Sequence, residues 1–282
     1  MKSFTGAWSW ETVLLWHKLA AFLARDFLEE ISYPFGFLWR VGTIFFRLLT
    51  FFFMAKLVEG AVLPQLTPYG GHYFPFVMLG LALSSFQGVA LTAISRHVLY
   101  GMYTGTLEAM LVTPTSLSTI VFSSMIYQFC SALVEILVYL ACSAVLFGVN
   151  LGQADLPATA VLLVLTLLAH LPIGILSAAF ILVFKQGDPI TTILGHISGL
   201  LGGVYFPLAI LPGWLQVVSK FIPFTYALEG LRQAVLNGQG VFKLGTPILV
   251  LAAFAVVLLP LSLIVFAWAV RQAKRLGTLA QF

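Results

Sequence analysis

Charged side chains are scarce in this chain. Asp, Glu, Lys and Arg together make up 9% of its 282 residues, against about 25% in an average soluble domain. Hydrophobic residues fill 60% of the positions, and the mean hydropathy is +1.02. Because so few charges cannot cover the surface of a water-soluble protein of this size, the composition predicts a polytopic membrane protein. Transport is then the first class of function to consider, and membrane-embedded enzymology the second.

The motifs of several other functional classes are missing as well. The sequence has no G-x-x-x-x-G-K-[ST] loop, so the chain is not expected to hold ATP phosphates itself. It has no H-E-x-x-H, no Cys/His cluster at metal-binding spacing and no G-x-S-x-G turn around a nucleophile. The 14 basic residues are scattered and mostly flank apolar runs, which argues against a nucleic-acid surface. We expect no metal ion, no cofactor and no catalytic residue in this chain.

Cysteine usage says little about the redox compartment. The two cysteines, Cys130 and Cys142, lie in one apolar run, and a helix would separate them by about 18 Å. That separation is too long for a disulfide between them. The N-terminal residues lack a basic region followed by an apolar one, so no cleavable signal peptide is expected.

Six apolar segments are long enough to cross a membrane, since a span needs about 20 mostly apolar residues. The predicted spans are residues 35–57, 73–94, 119–147, 158–184, 191–211 and 247–270. A seventh apolar stretch is interrupted by Lys220, Pro223, Glu229 and Arg232, which makes it too polar to face lipid. It is typical of a re-entrant or interfacial hairpin, here residues 206–235 on the external side. The predicted fold class is an all-α polytopic membrane protein with six transmembrane helices in one domain, residues 1–282.

The distribution of basic residues favours one orientation. With both termini in the cytoplasm, eight bases lie inside and three outside, and the other three belong to the first span. We therefore expect a multi-pass membrane protein with both termini in the cytoplasm. We expect its membrane to be the cell membrane of a prokaryote. Residues 8–31 are predicted to form an N-terminal interfacial helix, because a narrow polar stripe of Glu11, Lys18, Arg25 and Glu29 faces tryptophans and leucines. A cytosolic helix packed on a partner is the alternative.

Glu135 lies near the middle of an apolar span, where an unpaired carboxylate would be costly. Arg40 and Arg47 of the first span are its candidate partners, since seven residues place them on one helix face. A structural ion pair between two spans is the favoured interpretation, and a place on the substrate path is the alternative.

Small residues recur at every fourth position in two of the predicted spans. The two series are Gly80, Ser84 and Gly88, and Gly195, Gly199 and Gly203. This spacing indicates close helix packing, either within one chain or between two copies.

The connection between the second and third spans, residues 103–116, predicts a short amphipathic helix. Thr106 would cap it with Glu108 in its first turn, and Thr113-Pro114 would end it. Its apolar side chains would be unexplained in water unless a partner docks there. The candidate docking residues are Gly105, Thr106, Leu107, Glu108, Met110, Leu111, Thr113 and Pro114.

Prolines and glycines break the outer end of the fifth predicted span. The sequence reads G-G-V-Y-F-P from Gly202, L-P-G-W-L from Leu211, and P-F-T-Y-A-L-E-G-L-R from Pro223. The candidate residues of this hairpin are Tyr205, Phe206, Pro207, Pro212, Trp214, Pro223, Tyr226, Glu229 and Arg232.

The loop G-T-L-E-A-M-L-V-T-P from Gly105 and the hairpin segments resemble recurrent motifs of one transporter family. These are the membrane subunits of ABC-type exporters of the type-2 export permease family, and the resemblance covers nearly the whole chain. It implies a dimer, with a second copy or a paralogous permease, in which each chain engages one cytosolic ATP-binding subunit that holds ATP and Mg²⁺. The loop 103–116 is implied to be the coupling helix that sits in a cleft of the ATPase. The interfacial helix is implied to touch the same subunit, and the hairpin to lie at the exit between the copies.

The substrate class implied is a hydrophobic or amphipathic small molecule, a lipid or a lipid-linked glycan, and a polysaccharide is the alternative. Membrane lipid is an expected neighbour. A membrane-embedded transferase that recruits Glu135, His170 and His196, or a secondary transporter, would be a function of another class. Dependence on an ATP-binding partner separates the exporter from both.

Overall fold

The computed structural model of the protein describes residues 34–58, 64–103, 117–185 and 187–275, together with positions 24, 27, 28, 31 and 32. Regular structure within these ranges is helical throughout, without a strand. Most of the predicted interfacial helix 8–31, and residues 104–116 of the predicted coupling loop, lie outside the described residues and stay predictions.

The described residues form eight α-helices, joined in part by short 3-10 helices. The α-helices are α1 (Pro34–Val58), α2 (Tyr73–Tyr103), α3 (Leu117–Phe147), α4 (Leu156–Phe184), α5 (Pro189–Leu201), α6 (Gly213–Ser219), α7 (Pro223–Leu236) and α8 (Gly245–Arg275). The 3-10 helices are Pro64–Tyr69, Leu208–Ile210 and Val241–Lys243.

Five of these helices are long and apolar enough to cross a membrane: α1, α2, α3, α4 and α8. They coincide with the predicted spans at 35–57, 73–94, 119–147, 158–184 and 247–270. The remaining predicted span, 191–211, is helical in α5 only as far as Leu201. Its 13 residues extend about 20 Å, whereas a bilayer core is about 30 Å thick. Helix α5 alone is therefore too short to cross.

Helices α2 and α4 form the centre of the bundle. In their most apolar windows 72% and 61% of the residues are buried, against 11% in α1 and α8. Helix α4 packs along α8 and α2, and α3 packs along α2. Small residues permit the central contact, because a methyl group on Gly174 of α4 would lie only 2.7 Å from the Leu91 carbonyl oxygen of α2.

The long helix α4 carries clear local signals at both termini. Asp155 accepts a hydrogen bond from the Ala158 amide at 2.7 Å, and Pro157 occupies a first-turn position where its missing N–H costs nothing. The helix ends at Lys185, whose φ of 53° is left-handed and whose N–H bonds the Ile181 carbonyl.

The chain direction defines two ends of the bundle. We call the end that holds Ser95, Ser177 and Asp188 the Asp188 end, and the opposite one, where Asn237 donates to the Pro68 carbonyl at 2.7 Å, the hairpin end. Helix α5 starts at the Asp188 end. The residues that follow it reach the hairpin end, because α7 runs into Asn237. The segment between Asp188 and Asn237 therefore passes from one end to the other.

The small residues singled out from the sequence differ in their surroundings. A methyl group on Gly80 would lie 2.7 Å from the carbonyl oxygen of Val204, just beyond α5, and Ser84 donates to the Gly80 carbonyl at 2.7 Å. At Gly88, Gly195 and Gly199 such a group would meet no described atom within 4 Å. Within this chain the close approach of α2 to the end of α5 therefore rests on Gly80.

We expect Gly80→Ala to destabilise the protein by about 1–3 kcal/mol, because the added methyl group meets the rigid backbone of Val204. Gly88→Ala is the matched control in the same helix. Its methyl group has open space and should be neutral or stabilising by up to about 1 kcal/mol. Apparent melting temperatures of the detergent-solubilised variants check this. Equal melting temperatures for the two variants would contradict the packing role of Gly80.

Candidate functional site

Helix α5 stops inside the bundle at two glycines. Gly203 has a φ of +84°, a left-handed conformation that glycine adopts without strain. A methyl group on Gly202 would lie 2.5 Å from the Phe224 ring, so α7 packs directly on the break. From Val204 the chain continues in extended segments through Pro207 and Pro212. Such an interruption leaves backbone carbonyls without helical partners, and apolar surroundings offer none.

Arg232 of α7 supplies the missing partners. Its Nη2 donates to the carbonyls of Gly203 at 2.9 Å and Val204 at 3.3 Å, and its Nε and Nη2 donate to the Phe76 carbonyl at 3.1 and 2.9 Å. The side chain is 3% exposed, and its Cζ lies 3.4 Å from the centre of the Phe76 ring. One planar guanidinium thus ties the break after α5 to the first turn of α2, with an aromatic face against the charge.

Glu229 lies one turn before Arg232 and faces the 3-10 helix Pro64–Tyr69. Its Oε2 accepts a hydrogen bond from the Tyr69 hydroxyl at 2.5 Å, and its Oε1 accepts one from Gln233 at 2.6 Å. Burial and this hydrogen bond to Glu229 raise the pKa of Tyr69 above its usual value, so the phenol keeps its proton and donates. The carboxylate and the guanidinium together attach α7 to the start of α2.

Hydroxyl groups complete the hairpin from within. Ser219 at the end of α6 donates to the Leu201 carbonyl at 2.7 Å, and Thr225 donates to the Ser219 carbonyl at 2.9 Å. Gln216 donates to the Leu211 carbonyl at 2.8 Å. These hydrogen bonds connect α6 to the end of α5 and to the start of α7.

The predicted hairpin residues divide into three groups by burial. Pro207, Pro223 and Arg232 are buried, Phe206, Tyr226 and Glu229 are half-buried, and Tyr205, Pro212 and Trp214 are exposed. The Tyr205 ring stacks on Phe51 of α1 with centroids 5.7 Å apart, and its carbonyl accepts from Tyr73 at 2.9 Å.

The residues outside the hairpin that bond to it were not identified from the sequence. Tyr69, Tyr73 and Phe76 supply two hydroxyls, a carbonyl and an aromatic face to the hairpin. A signal was present in the aromatic, proline- and glycine-rich run from Pro68 to Phe76 just before the second span.

The charges predicted inside the membrane lie on α1 and α3. Arg40 donates to the Ser131 hydroxyl at 2.8 Å, one turn from Glu135. Glu135 accepts a short hydrogen bond from Ser85 of α2. Arg47 lies near the Tyr139 hydroxyl, further along the same two helices. The three charges thus follow the seam between α1 and α3 in partly separate contacts.

A groove of about 490 Å³ lies along this seam. Arg40, Ser131 and Glu135 are polar members of its lining, which is otherwise mostly apolar and includes Phe37 and Val134. Because α1 and α3 are among the least buried helices, the groove lies on the outer, apolar side of the bundle. It offers a long apolar surface with a small charged patch.

A second polar cluster, at the Asp188 end, was also missed from the sequence. The Asp188 carboxylate accepts hydrogen bonds from Ser95 of α2, Ser177 of α4 and the Thr191 amide of α5. Burial by itself raises the pKa of Asp188, but the hydrogen bonds from Ser177, Ser95 and Thr191 outweigh it and hold that pKa below its usual value. The group is therefore a carboxylate at neutral pH.

The predicted docking residues of the coupling loop lie outside the described residues. They are Gly105, Thr106, Leu107, Glu108, Met110, Leu111, Thr113 and Pro114. The described chain stops at Tyr103 and resumes with α3 at Leu117.

The chain is similar to a known protein family and to a bacterial permease. The family model of the ABC-2 type transporter matches residues 17–236, well over half of the chain. A linearmycin resistance permease of Bacillus subtilis (strain 168), LnrN, is 31% identical over 113 residues, which are 40% of this chain. The alignment spans 29% of that permease's length.

We expect Arg232→Gln to lower stability by several kcal/mol, about 3 or more, since buried carbonyls lose partners at about 1–3 kcal/mol each. Arg232→Lys should fall in between, because an ammonium cannot reproduce the planar fork. Lys220→Gln, at an exposed cation of the same hairpin, is the control and should melt like the unchanged protein. Thermal unfolding in detergent measures all three. Matching melting temperatures for Arg232→Gln and Lys220→Gln would contradict the role given to Arg232.

Proposed function

This chain belongs to the ABC-2 type transporter family, and from that premise we propose that it is the membrane-spanning subunit of an ATP-driven exporter. The observation that carries the proposal is the range of the family match, since residues 17–236 include both the loop 103–116 and the hairpin 206–235. The sequence has no P-loop, so ATP and Mg²⁺ are bound by a separate cytosolic subunit and this chain catalyses no hydrolysis.

The loop 103–116 is the proposed coupling element. Helices α2 and α3, which flank it, have 31 residues each and extend about 46 Å, well beyond a bilayer core of about 30 Å. Both therefore project out of the apolar layer at the Asp188 end, toward the ATP-binding subunit. The predicted interfacial helix 8–31 contacts the same subunit in this proposal.

The proposed topology has six crossings within one membrane domain. Five are the long helices, and the sixth is α5 continued by the hairpin, which together run from the Asp188 end to the hairpin end. The excess of Lys and Arg near the Asp188 end supports a cytoplasmic position for that end and for both termini. The proposed membrane is the cell membrane of a prokaryote.

A second copy of this chain, or a paralogous permease, completes the path in this proposal. Apolar side chains on α5, on α6 and in the turn after α6 support it, because they are exposed in the single chain: Ile193, Ile197, Leu200, Trp214 and Phe221. The open positions Gly195 and Gly199 lie on α5 as well. The hairpin then stands at the outer exit between the two copies.

The proposed substrate is a hydrophobic or amphipathic small molecule, a lipid or a lipid-linked glycan. The groove between α1 and α3, apolar with Arg40 and Glu135 in its lining, supports an amphipathic molecule over a polysaccharide. The name of the Bacillus permease ties that relative to resistance against linearmycin, and export of a small molecule is one route to resistance. A membrane-embedded transferase or a secondary transporter does not fit the family membership.

The proposed cycle follows from this assembly. ATP brings two nucleotide-binding subunits together, and the coupling loops pass that movement to the spans. The path then closes to the cytoplasm and opens outward. ATP shifts the equilibrium only because it favours one of the two arrangements.

We expect the protein, purified under mild conditions from its host, to carry a P-loop subunit with ATPase activity. Replacing Leu107, Met110 and Leu111 by Asp should abolish that association, because charges would enter an apolar contact. Phe242→Asp, at a fully exposed site of the hairpin end, is the control and should retain the subunit. Mass spectrometry and an ATPase assay read the result.

Purification of the unchanged protein alone, without ATPase activity in several detergents, would contradict the exporter. Retention of the subunit by the triple variant would contradict only the position of the coupling loop.

A further inference from the structure

Asp188 joins three helices through one carboxylate. Its Oδ2 accepts from Ser95 of α2 at 2.5 Å, and its Oδ1 accepts from Ser177 of α4 and from the Thr191 amide at 3.1 Å. Both serines are completely buried. Asp188 itself is half-buried. Hydrogen bonds to an ionised acceptor are about twice as strong as neutral ones.

The cap of α5 needs only part of this arrangement. Asp155 caps α4 through the Ala158 amide, and its side chain makes no described bond to another helix. Asn or Ser serves as a cap nearly as well as Asp. The two serines from α2 and α4 are therefore additional to capping, and the bond from Ser95 uses the second carboxylate oxygen.

Through these bonds Asp188 connects two parts of the chain, the predicted coupling loop and the break after α5. Ser95 lies in the last third of α2, whose end at Tyr103 leads straight into the predicted coupling loop. On the other side of Asp188, α5 leads to Gly203 and the break held by Arg232. The link through Asp188 is thus a short route from the coupling loop to the hairpin.

We propose that Asp188 is the joint that transmits movement of the coupling loop from α2 to α5. The inference rests on the proposed function, since it needs an ATP-driven movement to transmit. Asp188 is a positioning residue, which acts through α5 and the hairpin.

Two variants separate the joint from the cap. In Asp188→Asn the side-chain oxygen can still cap α5 and accept from Ser177, but the NH2 group in place of Oδ2 cannot accept the hydrogen bond from Ser95. In the double variant Ser95→Ala with Ser177→Ala, the Asp188 carboxylate remains and still caps α5. The two serine hydroxyls that donate to it are removed. Asp155→Asn is the matched control, because it alters a capping aspartate without a described side-chain link to another helix.

The measurement uses the complex with its ATP-binding subunit in lipid nanodiscs, with Cys130 and Cys142 replaced by Ser. A bimane label is placed on a cysteine at Tyr103, at the end of α2, or at Ile193 in α5; the native side chains are 65% and 56% exposed. Bimane emission is compared without nucleotide and with ATP plus vanadate.

We expect both labels to respond in the otherwise unchanged complex and in Asp155→Asn. In Asp188→Asn and in the serine double variant the label at Tyr103 should respond as before. The response at Ile193 should fall by at least about fivefold, the lower range of coupling between sites. ATPase activity should persist in all variants, because hydrolysis takes place on the other subunit.

An unchanged bimane response at position 193 in Asp188→Asn would overturn the proposal that Asp188 transmits movement. Its role would then be to cap α5 alone. A background complex in which Tyr103 responds and Ile193 does not would overturn the joint while leaving the exporter intact. A background complex in which neither label responds would overturn both. If Asp188→Asn fails to assemble, the serine double variant decides by the same criterion.

Discussion

Backbone carbonyls released by an interrupted helix must find donors within protein when the surroundings are apolar. The arrangement of the hairpin end depends on how Arg232 meets this constraint. Its guanidinium takes the carbonyls of Gly203 and Val204 and holds them against the Phe76 carbonyl of α2. A single planar fork suits this task, since its donors point to both sides of the break at once. Gly80 packs on Val204 and Phe224 packs on Gly202 beside the same break.

Helix α5 is held at its two ends by groups of opposite charge, and both attach it to α2. Asp188 reaches Ser95 near one end, and Arg232 reaches Phe76 near the other. Between these points α5 is partly exposed, with open positions at Gly195 and Gly199. A short helix fixed at its ends and free along one face can shift as a unit when either attachment moves. A helix that can shift in this way suits a transport path better than a helix that is packed on all sides.

Hydropathy was sufficient to predict five long helices, because each is an apolar run bounded by polar or turn-forming residues. It placed the end of α5 ten residues too far, at 211, since glycines at 202 and 203 interrupt a helix without lowering hydropathy. A hairpin over residues 206–235 was predicted from prolines and charges. Helix α6 and all but the last residue of α7 lie in this range, and a re-entrant position in the membrane stays a prediction. The bonds of Arg232 were not predictable, because its acceptors are backbone carbonyls that leave no side-chain signal. The pairing of Glu135 with arginines stays a prediction. The hydrogen bond that Glu135 accepts from Ser85 was not predicted, because a serine in a span gives no signal of its partner.

The contact between Arg232 and Phe76 also joins residues that are made far apart in time. They are separated by 156 positions, and a ribosome working at about 5–20 residues per second needs roughly 8–30 s to make that many. During this interval α2 has been made, but Arg232, which donates to the Phe76 carbonyl, has not. The break after α5 then emerges about thirty residues before the arginine that satisfies it. Insertion of this protein therefore has a late closing step, and nascent chains that stop short of α7 would be natural targets for membrane quality control.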